Sequence, residues 1–257
     1  MSLAGRKVAL VTGGARRVGA AIVRRLAAEG WQVVIHCNAS RAEADALARD
    51  VGNAAVAQAD LSNRDAVDGL VAQASAPFGP PTALVNNASV FQRDEIATMS
   101  WASWEAHAMP NLAAPVFLAK RFAEALPEGE QGAVVNLLDQ KVGNLNPDFL
   151  SYTASKIGLA GLTPVLAMAL APRIRVNGIA PGLTLISGKQ TPESFARAWQ
   201  DTVLGRGSTP EDIAAGVAFL LASPAITGQT IVIDGGESLF RRPRDVAFDP
   251  RLAGTGG

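Results

Sequence analysis

The chain has 257 residues, 48% of them hydrophobic, with 23 basic and 23 acidic side chains. A balanced charge argues against nucleic acid or another polyanion as partner. The single cysteine, Cys37, excludes a disulfide framework and a cysteine-based metal site, and no metal site is expected.

Length alone allows one or two domains. No apolar run approaches the ~20 residues of a membrane span, and no signal peptide is visible. A soluble, cytoplasmic protein is expected.

A short apolar run, Lys7 to Thr12, leads into the loop Gly13-Gly14-Ala15-Arg16-Arg17-Val18-Gly19. Apolar residues at helical spacing follow from Ala20 and stop at Gly30. Trp31 to His36 reads as a second strand, completing a βαβ unit. The alternation then continues with a helix at about 41–50, strand 54–58, helix 63–75, strand 82–86, and a long helix at about 100–125. Strand 132–137, helix 152–171, strand 174–179, helix 211–222 and strand 229–233 complete it. This pattern predicts one α/β domain over 1–257, a doubly wound Rossmann-type parallel sheet with helices on both faces.

One stretch departs from the alternation. Residues from about 183 to 204 follow Pro181-Gly182 and hold one predicted helix, 192–203. Inserts at the carboxyl ends of strands sit where open α/β sheets bind ligands, so this one reads as a substrate lid. The tail, 241–257, is polar and ends in glycine. It reads as a solvated terminus or, in an oligomer, as an arm toward a neighbour.

Glycines between a first strand and a first helix let backbone N–H groups approach a pyrophosphate. Gly13, Val18 and Gly19 lie in such a loop with Arg16 and Arg17. Arg17 would bring a cation to the phosphates or to the substrate mouth. An acid ending the second strand would accept from the ribose 2′-OH and favour NAD. This chain has His36-Cys37-Asn38-Ala39-Ser40-Arg41 instead. His36, Asn38, Ser40 and Arg41, with Arg16 nearby, can donate to a 2′-phosphate, which predicts NADP(H). Asp60-Leu61 is either an adenine contact or, through Asp60, a helix N-cap. Asn86-Asn87-Ala88-Ser89 can tie strands together and carry the loop backbone past the cofactor.

Tyr152, the only tyrosine, and Lys156 lie one helical turn apart. A free phenol, with a pKa of about 10, is a poor acid near neutrality. An adjacent ammonium lowers that value, and the pair can then protonate the atom beside the one receiving hydride.

Thr12-Gly13…Gly19, Asn86-Asn87-Ala88, Asn111, Tyr152-x-x-x-Lys156 and Pro181-Gly182 occur in order over nearly the whole chain. The sequence resembles the short-chain dehydrogenase/reductases. That resemblance implies a seven-stranded sheet, a homotetramer, Lys156 at the nicotinamide ribose, and Asn111 supporting a proton-relay water. Two departures stand out. Arg17 replaces a family glycine, and Asp139 replaces the usual serine at the end of the fifth strand. An ionised Asp139 beside Tyr152 would raise the phenol pKa. An acid there suits a ring nitrogen or an amidine-like edge.

Asp139, Arg17, His36-x-x-x-Ser40, Asn86 to Phe91 and Pro181-Gly182-Leu183 are similar to the pteridine reductases and the related dihydromonapterin reductases. The likeness implies a pterin held between the nicotinamide and Phe91, with Arg17, Ser89, Asp139, Tyr152 and Leu183 around it. The expected activity is NADPH-dependent reduction of a pterin C=N bond. The alternatives are a carbonyl reductase of the same family, for 3-oxoacyl or other ketones, and a catalytically silent NADP-binding sensor.

Overall fold

The computed structural model describes residues 6–186 and 190–248. Part of the expected lid, 187–189, and the end of the expected tail, 249–257, lie outside the described residues.

The sheet strands are β1 (Val8–Val11), β2 (Gln32–Cys37), β3 (Ala54–Gln58), β4 (Ala83–Asn86), β5 (Gly132–Leu137), β6 (Ile174–Pro181) and β7 (Thr230–Ile233). All pairings are parallel, in the order β3-β2-β1-β4-β5-β6-β7. The inner strands are apolar on both faces because helices cover both. Alternate residues feed two cores. Val11, Ile35, Val85 and Val135 pack against α1 (Arg17–Ala28) and α8 (Pro210–Ala222). Leu10, Val34, Leu84 and Val134 pack against α3 (Arg64–Phe78) and α5 (Ala114–Ala125). Helix α2 (Arg41–Val51) extends the first core through Ala44 and Leu47.

The chain starts in mid-sheet, runs out to β3, and returns to β4 beside β1. That reversal opens a crevice beyond the carboxyl ends of β1 and β4. The loops after these strands carry the glycines and the Asn86-Asn87 pair, so topology alone delivers both to one place.

The long helix expected at 100–125 is three pieces: α4 (Trp101–Ala108), a π-turn at Met109–Ala113, and α5. Pro110 and Pro115 have no N–H to give, and Ala114 N instead reaches Met109 O. Such π-turns are frequent at functional sites. Helix α6 (Leu150–Leu170) starts two residues before Tyr152. It also corrects the expectation about apolar runs, since its length and composition would suffice to cross a membrane. It packs on β6 and buries Tyr152, Lys156 and Thr163, as a core helix does. The helix of the insert, α7, spans Pro192–Gln200, ending before the expected Val203, with Thr191 and Ser194 closing a reciprocal cap at its start.

Candidate active site

The glycine loop is a cradle built from close approaches. Gly13 has φ +60°, and a Cβ there would lie 2.9 Å from Ala88 Cα. A Cβ on Gly19 would lie 2.1 Å from the Gly13 carbonyl oxygen. Asn87 Nδ2 donates to the carbonyls of Thr12 and Gly13 at 2.9 and 3.0 Å. Thr12 Oγ1 accepts from the N–H groups of Asn87 and Ala88. Asn86 reaches β5 through Asn136 Oδ1 at 2.9 Å. The first turn of α1 has no side-chain cap, so its N–H groups face the crevice. Free N–H groups at a helix start, with glycines admitting close approach, fit a dinucleotide pyrophosphate.

His36 has a different place from the one expected. Its Nδ1 accepts from Gly13 N at 3.1 Å, and its Nε2 is 3.0 Å from Ala59 O. Acceptance at Nδ1 makes Nε2 the protonated nitrogen, donating to Ala59. Burial lowers its pKa and keeps it neutral. Both nitrogens are therefore occupied, and His36 braces the glycine loop instead of meeting a phosphate. Asn38, Ser40, Arg41 and Arg16 do gather at the carboxyl end of β2. Arg41 pairs with Asp45 at 2.9 Å and Arg16 with Glu43 at 3.6 Å, all exposed. Asp60 is not the cap of α3. Its Oδ1 accepts from Ser62, while Asn63 caps the helix through Ala66 N. Leu61 is buried beneath this turn.

Arg17 keeps the glycine conformation of the position it occupies, with φ +53°. Its side chain leaves the phosphate cradle and donates to Ile186 O at 3.0 Å. There it lines the mouth of the cavity.

Below that mouth lies a cavity of about 1330 Å³. At its base the Tyr152 hydroxyl donates to Asp139 Oδ2 at 2.7 Å. Asp139 Oδ1 accepts from Lys141 N at 2.8 Å. Lys156 Nζ donates to Leu137 O at 2.7 Å and stands 5.7 Å from the centre of the Tyr152 ring. The electrostatics correct the expected order of effects. Burial and the Asp139 carboxylate push the Tyr152 phenol well above its ordinary value. Burial raises Asp139 too, against the Lys141 N–H, Tyr152, and the Lys141 and Lys156 charges. Burial lowers Lys156 to about 8. The shared proton between Tyr152 and Asp139, more than the lysine, governs the pair.

Asn111 ties a loop to the helix that carries Tyr152. Its side chain accepts from Val90 N at 2.8 Å and donates to Val90 O at 2.9 Å and Ser155 Oγ at 3.2 Å. With both side-chain hydrogens so engaged, Asn111 positions the Ser89–Phe91 loop.

Ser89 and Phe91 line the cavity, as do Val18, Gly182 and Leu183. Phe91 stacks on Phe149 with ring centres 4.2 Å apart and meets the Tyr152 ring edge-on at 4.7 Å. Phe149 holds a left-handed backbone at φ +58°. Pro181 ends β6. A Cβ on Gly182 would lie 2.6 Å from Glu237 Oε2, which accepts from Leu183 N at 2.7 Å. Glu237 also accepts from Gln140 Nε2 at 3.3 Å. Burial, with Asp139 and Asp245 nearby, raises it to about 7 despite the Leu183 N–H and Arg242.

The tail is not simply solvated. Its described part folds over the N-terminus of α6 as an arm. Arg242 pairs with Asp201 beyond α7, Arg244 with Asp148, and Asp245 with Lys141, at 2.8, 2.6 and 2.7 Å. Phe248 packs on Phe149 under the Arg93 guanidinium. Asp245 to Phe248 thus form a wall of the cavity. Sequence reasoning missed Lys141, Asp148, Phe149, Glu237, Asp245 and Phe248. All lie in loops or in single 3-10 turns, without periodicity, and only the charge alternation of Arg242, Arg244 and Asp245 hinted at pairing.

The family described as Enoyl-(Acyl carrier protein) reductase matches residues 13–238. The chain belongs to the short-chain dehydrogenase/reductase family. This oxidoreductase is similar to the FolM alternative dihydrofolate reductase 1 of Brucella canis, solved with NADP: 47% identity, TM-score 0.89, covering 93% of this chain and 96% of that one. The Brucella suis protein, also solved with NADP, gives 47% identity and a TM-score of 0.89, covering 94% and 98%. A 3-oxoacyl-[acyl-carrier-protein] reductase of Synechocystis sp. is 33% identical over 91% of this chain and 98% of its own. Among the described residues no group of three or more His, Cys, Asp or Glu could hold a metal ion.

Proposed function

We propose that this short-chain reductase uses NADPH to reduce a C=N bond in a pterin ring, as part of a dihydropterin or dihydrofolate-like substrate. The observation that carries the reading is the Tyr152–Asp139 hydrogen bond at the base of a cavity faced by Phe91. A flat ring seated on Phe91 gains stacking of about 0.5–1.5 kcal/mol beyond burial. A carboxyl can hold the polar edge of such a ring, and can take or return a proton, where a serine could do only part of this. The likeness to the Brucella alternative dihydrofolate reductases supports the same substrate class.

Bound NADPH would supply the hydride. The glycine cradle would hold the pyrophosphate, and Arg16, Asn38, Ser40 and Arg41 would meet the 2′-phosphate, since no acid ends β2. Hydride to the ring carbon leaves a negative nitrogen next to it. Tyr152 gives its proton to that nitrogen. Asp139 orients the hydroxyl beforehand, and Lys156 stabilises the phenolate formed. Such acid assistance contributes about 10²–10⁴ in rate. Arg17 and Ser89 serve the polar rim of the ring.

The experiment is a side-by-side rate of NADPH oxidation with biopterin, dihydrobiopterin, dihydromonapterin and dihydrofolate, against acetoacetyl thioesters and quinones. Higher kcat/KM for a pterin supports the reading. Preference for the thioester would replace it with the second reading, 3-oxoacyl reduction, which the Synechocystis relative favours. We further propose a homotetramer, because Phe117 on α5 and Ile157, Val165 and Met168 on α6 present apolar side chains to solvent.

A further inference from the structure

We propose that Asp245 is a positioning residue for the Asp139–Tyr152 pair, acting through Lys141 and delivered by the C-terminal arm. The inference rests on the reading of Tyr152 as proton donor.

Lys141 touches both parties. Its main-chain N–H donates to Asp139 Oδ1 at 2.8 Å, and its ammonium lies 2.7 Å from Asp245 Oδ2. The ammonium also donates to Asp148 O at 3.2 Å and stands 5.0 Å from the Phe149 ring centre. The side chain is 3% exposed, so water screens it little. Asp245 has a fixed seat. Its N–H donates to Asp148 Oδ2 at 2.8 Å, and Asp148 is clamped by Arg244.

The remaining charged and titratable groups around the pair come from every neighbouring element. Helix α6 gives Tyr152 and Lys156, and the stretch after β7 gives Glu237 with Arg242 beside it. The segment after β4 gives Asp94, bonded to Ser151, and His107, whose ring is 6.3 Å from that of Tyr152. Asp148 also faces the Lys141 charge, but its carboxylate is clamped by Arg244, and none of the others neutralises Lys141. Without Asp245, a buried ammonium would draw Asp139 toward its carboxylate form. Asp245 offsets that pull and also acts on Tyr152 directly. Arm docking therefore sets where the pair holds its proton.

Tyr152 is the only tyrosine, so tyrosine labelled with carbon-13 at Cζ gives one signal in the full-length protein. That signal follows the ionisation of its partner Asp139. Asp245→Asn should move the midpoint down by about one pH unit. Lys141→Met should move it up. Arg244→Ala, which frees the arm with both charges kept, should reproduce part of the downward movement. The lower inflection of kcat/KM against pH should move with the signal in each variant. An unmoved midpoint in Asp245→Asn, with activity lost equally at all pH, would mean that Asp245 is only a clamp and would overturn the proposal. A midpoint that moves in Asp245→Asn and stays put in Arg244→Ala would overturn delivery by the arm. The signal needs no substrate, so failure to reduce any pterin would sink the substrate reading and leave this measurement intact.

Discussion

The Tyr152 hydroxyl donates to Asp139 Oδ2 at 2.7 Å, and each group sets the other's hold on its proton. Where most of the family has a serine hydroxyl, this chain places a group that can be charged. Tyr152→Phe should lose nearly all turnover, at least 10²-fold, while NADPH still binds, as read by fluorescence titration. Retained activity would remove the tyrosine from the mechanism. Asp139→Ser should depress pterin reduction more than reduction of an activated ketone, and equal losses would detach the acid from substrate choice.

His36 in β2 and Arg41 at the start of α2 should separate cleanly by phenotype. His36→Leu removes a brace of the Gly13 loop, so it should weaken NADPH and NADH alike, by roughly tenfold for one lost hydrogen bond to a neutral group. Arg41→Ala should weaken NADPH and leave NADH unchanged. Dissociation constants for both cofactors decide it. A His36 variant that loses only NADPH would return the ring to the 2′-phosphate.

Arg17 carries a left-handed backbone that costs a non-glycine residue about 1–2 kcal/mol. Arg17→Gly should therefore melt no lower than the parent, and its KM for the pterin should rise because the cationic rim is gone. Arg17→Ala should raise KM equally without the backbone relief. A large fall in melting temperature for the glycine variant would show that the bond to Ile186 O outweighs the strain.

Glu237 keeps its proton in the folded chain up to about pH 7, above its ordinary 4.5. Between these values the folded state holds a proton that the unfolded state releases, so stability falls as pH rises through the window. The full shift corresponds to at most about 3 kcal/mol. Lys156, lowered to about 8 from 10.5, acts on the other side. There the folded state releases a proton that the unfolded state keeps, so stability falls as pH drops from 10.5 to 8. Glu237→Gln should flatten the decline between pH 4.5 and 7 in a series of melting temperatures. An unchanged slope would exclude Glu237 as its source.

Much of this architecture was legible because period and punctuation are local. The β-type runs, the helical spacings and Gly30 are properties of neighbouring residues, and the topology that follows brings Gly13, Asn87 and Tyr152 together. Arg17 and Asp139 were legible as departures from a known pattern. The partners of His36 were not, because its two bonds run to Gly13 and Ala59, each 23 residues away. The same holds for Asn111, whose amide pins Val90. A polar residue's type shows what it can bond, and only the fold decides which group arrives first. The arm reaches further still, since Asp245 meets Lys141 104 residues away.

That arm gives the order of biosynthesis a consequence. The sheet, the glycine cradle and the Tyr152–Asp139 pair are all encoded before Phe240. A nascent chain at that point has its cofactor end complete, yet its substrate cavity lacks one side, and Asp148 and Lys141 lie without their partners. Leaving a buried ion unpaired costs about 3–5 kcal/mol. The arm around Arg244 to Phe248 therefore closes the active site, and a chain cut at Phe240 is marked by instability before it can turn over anything.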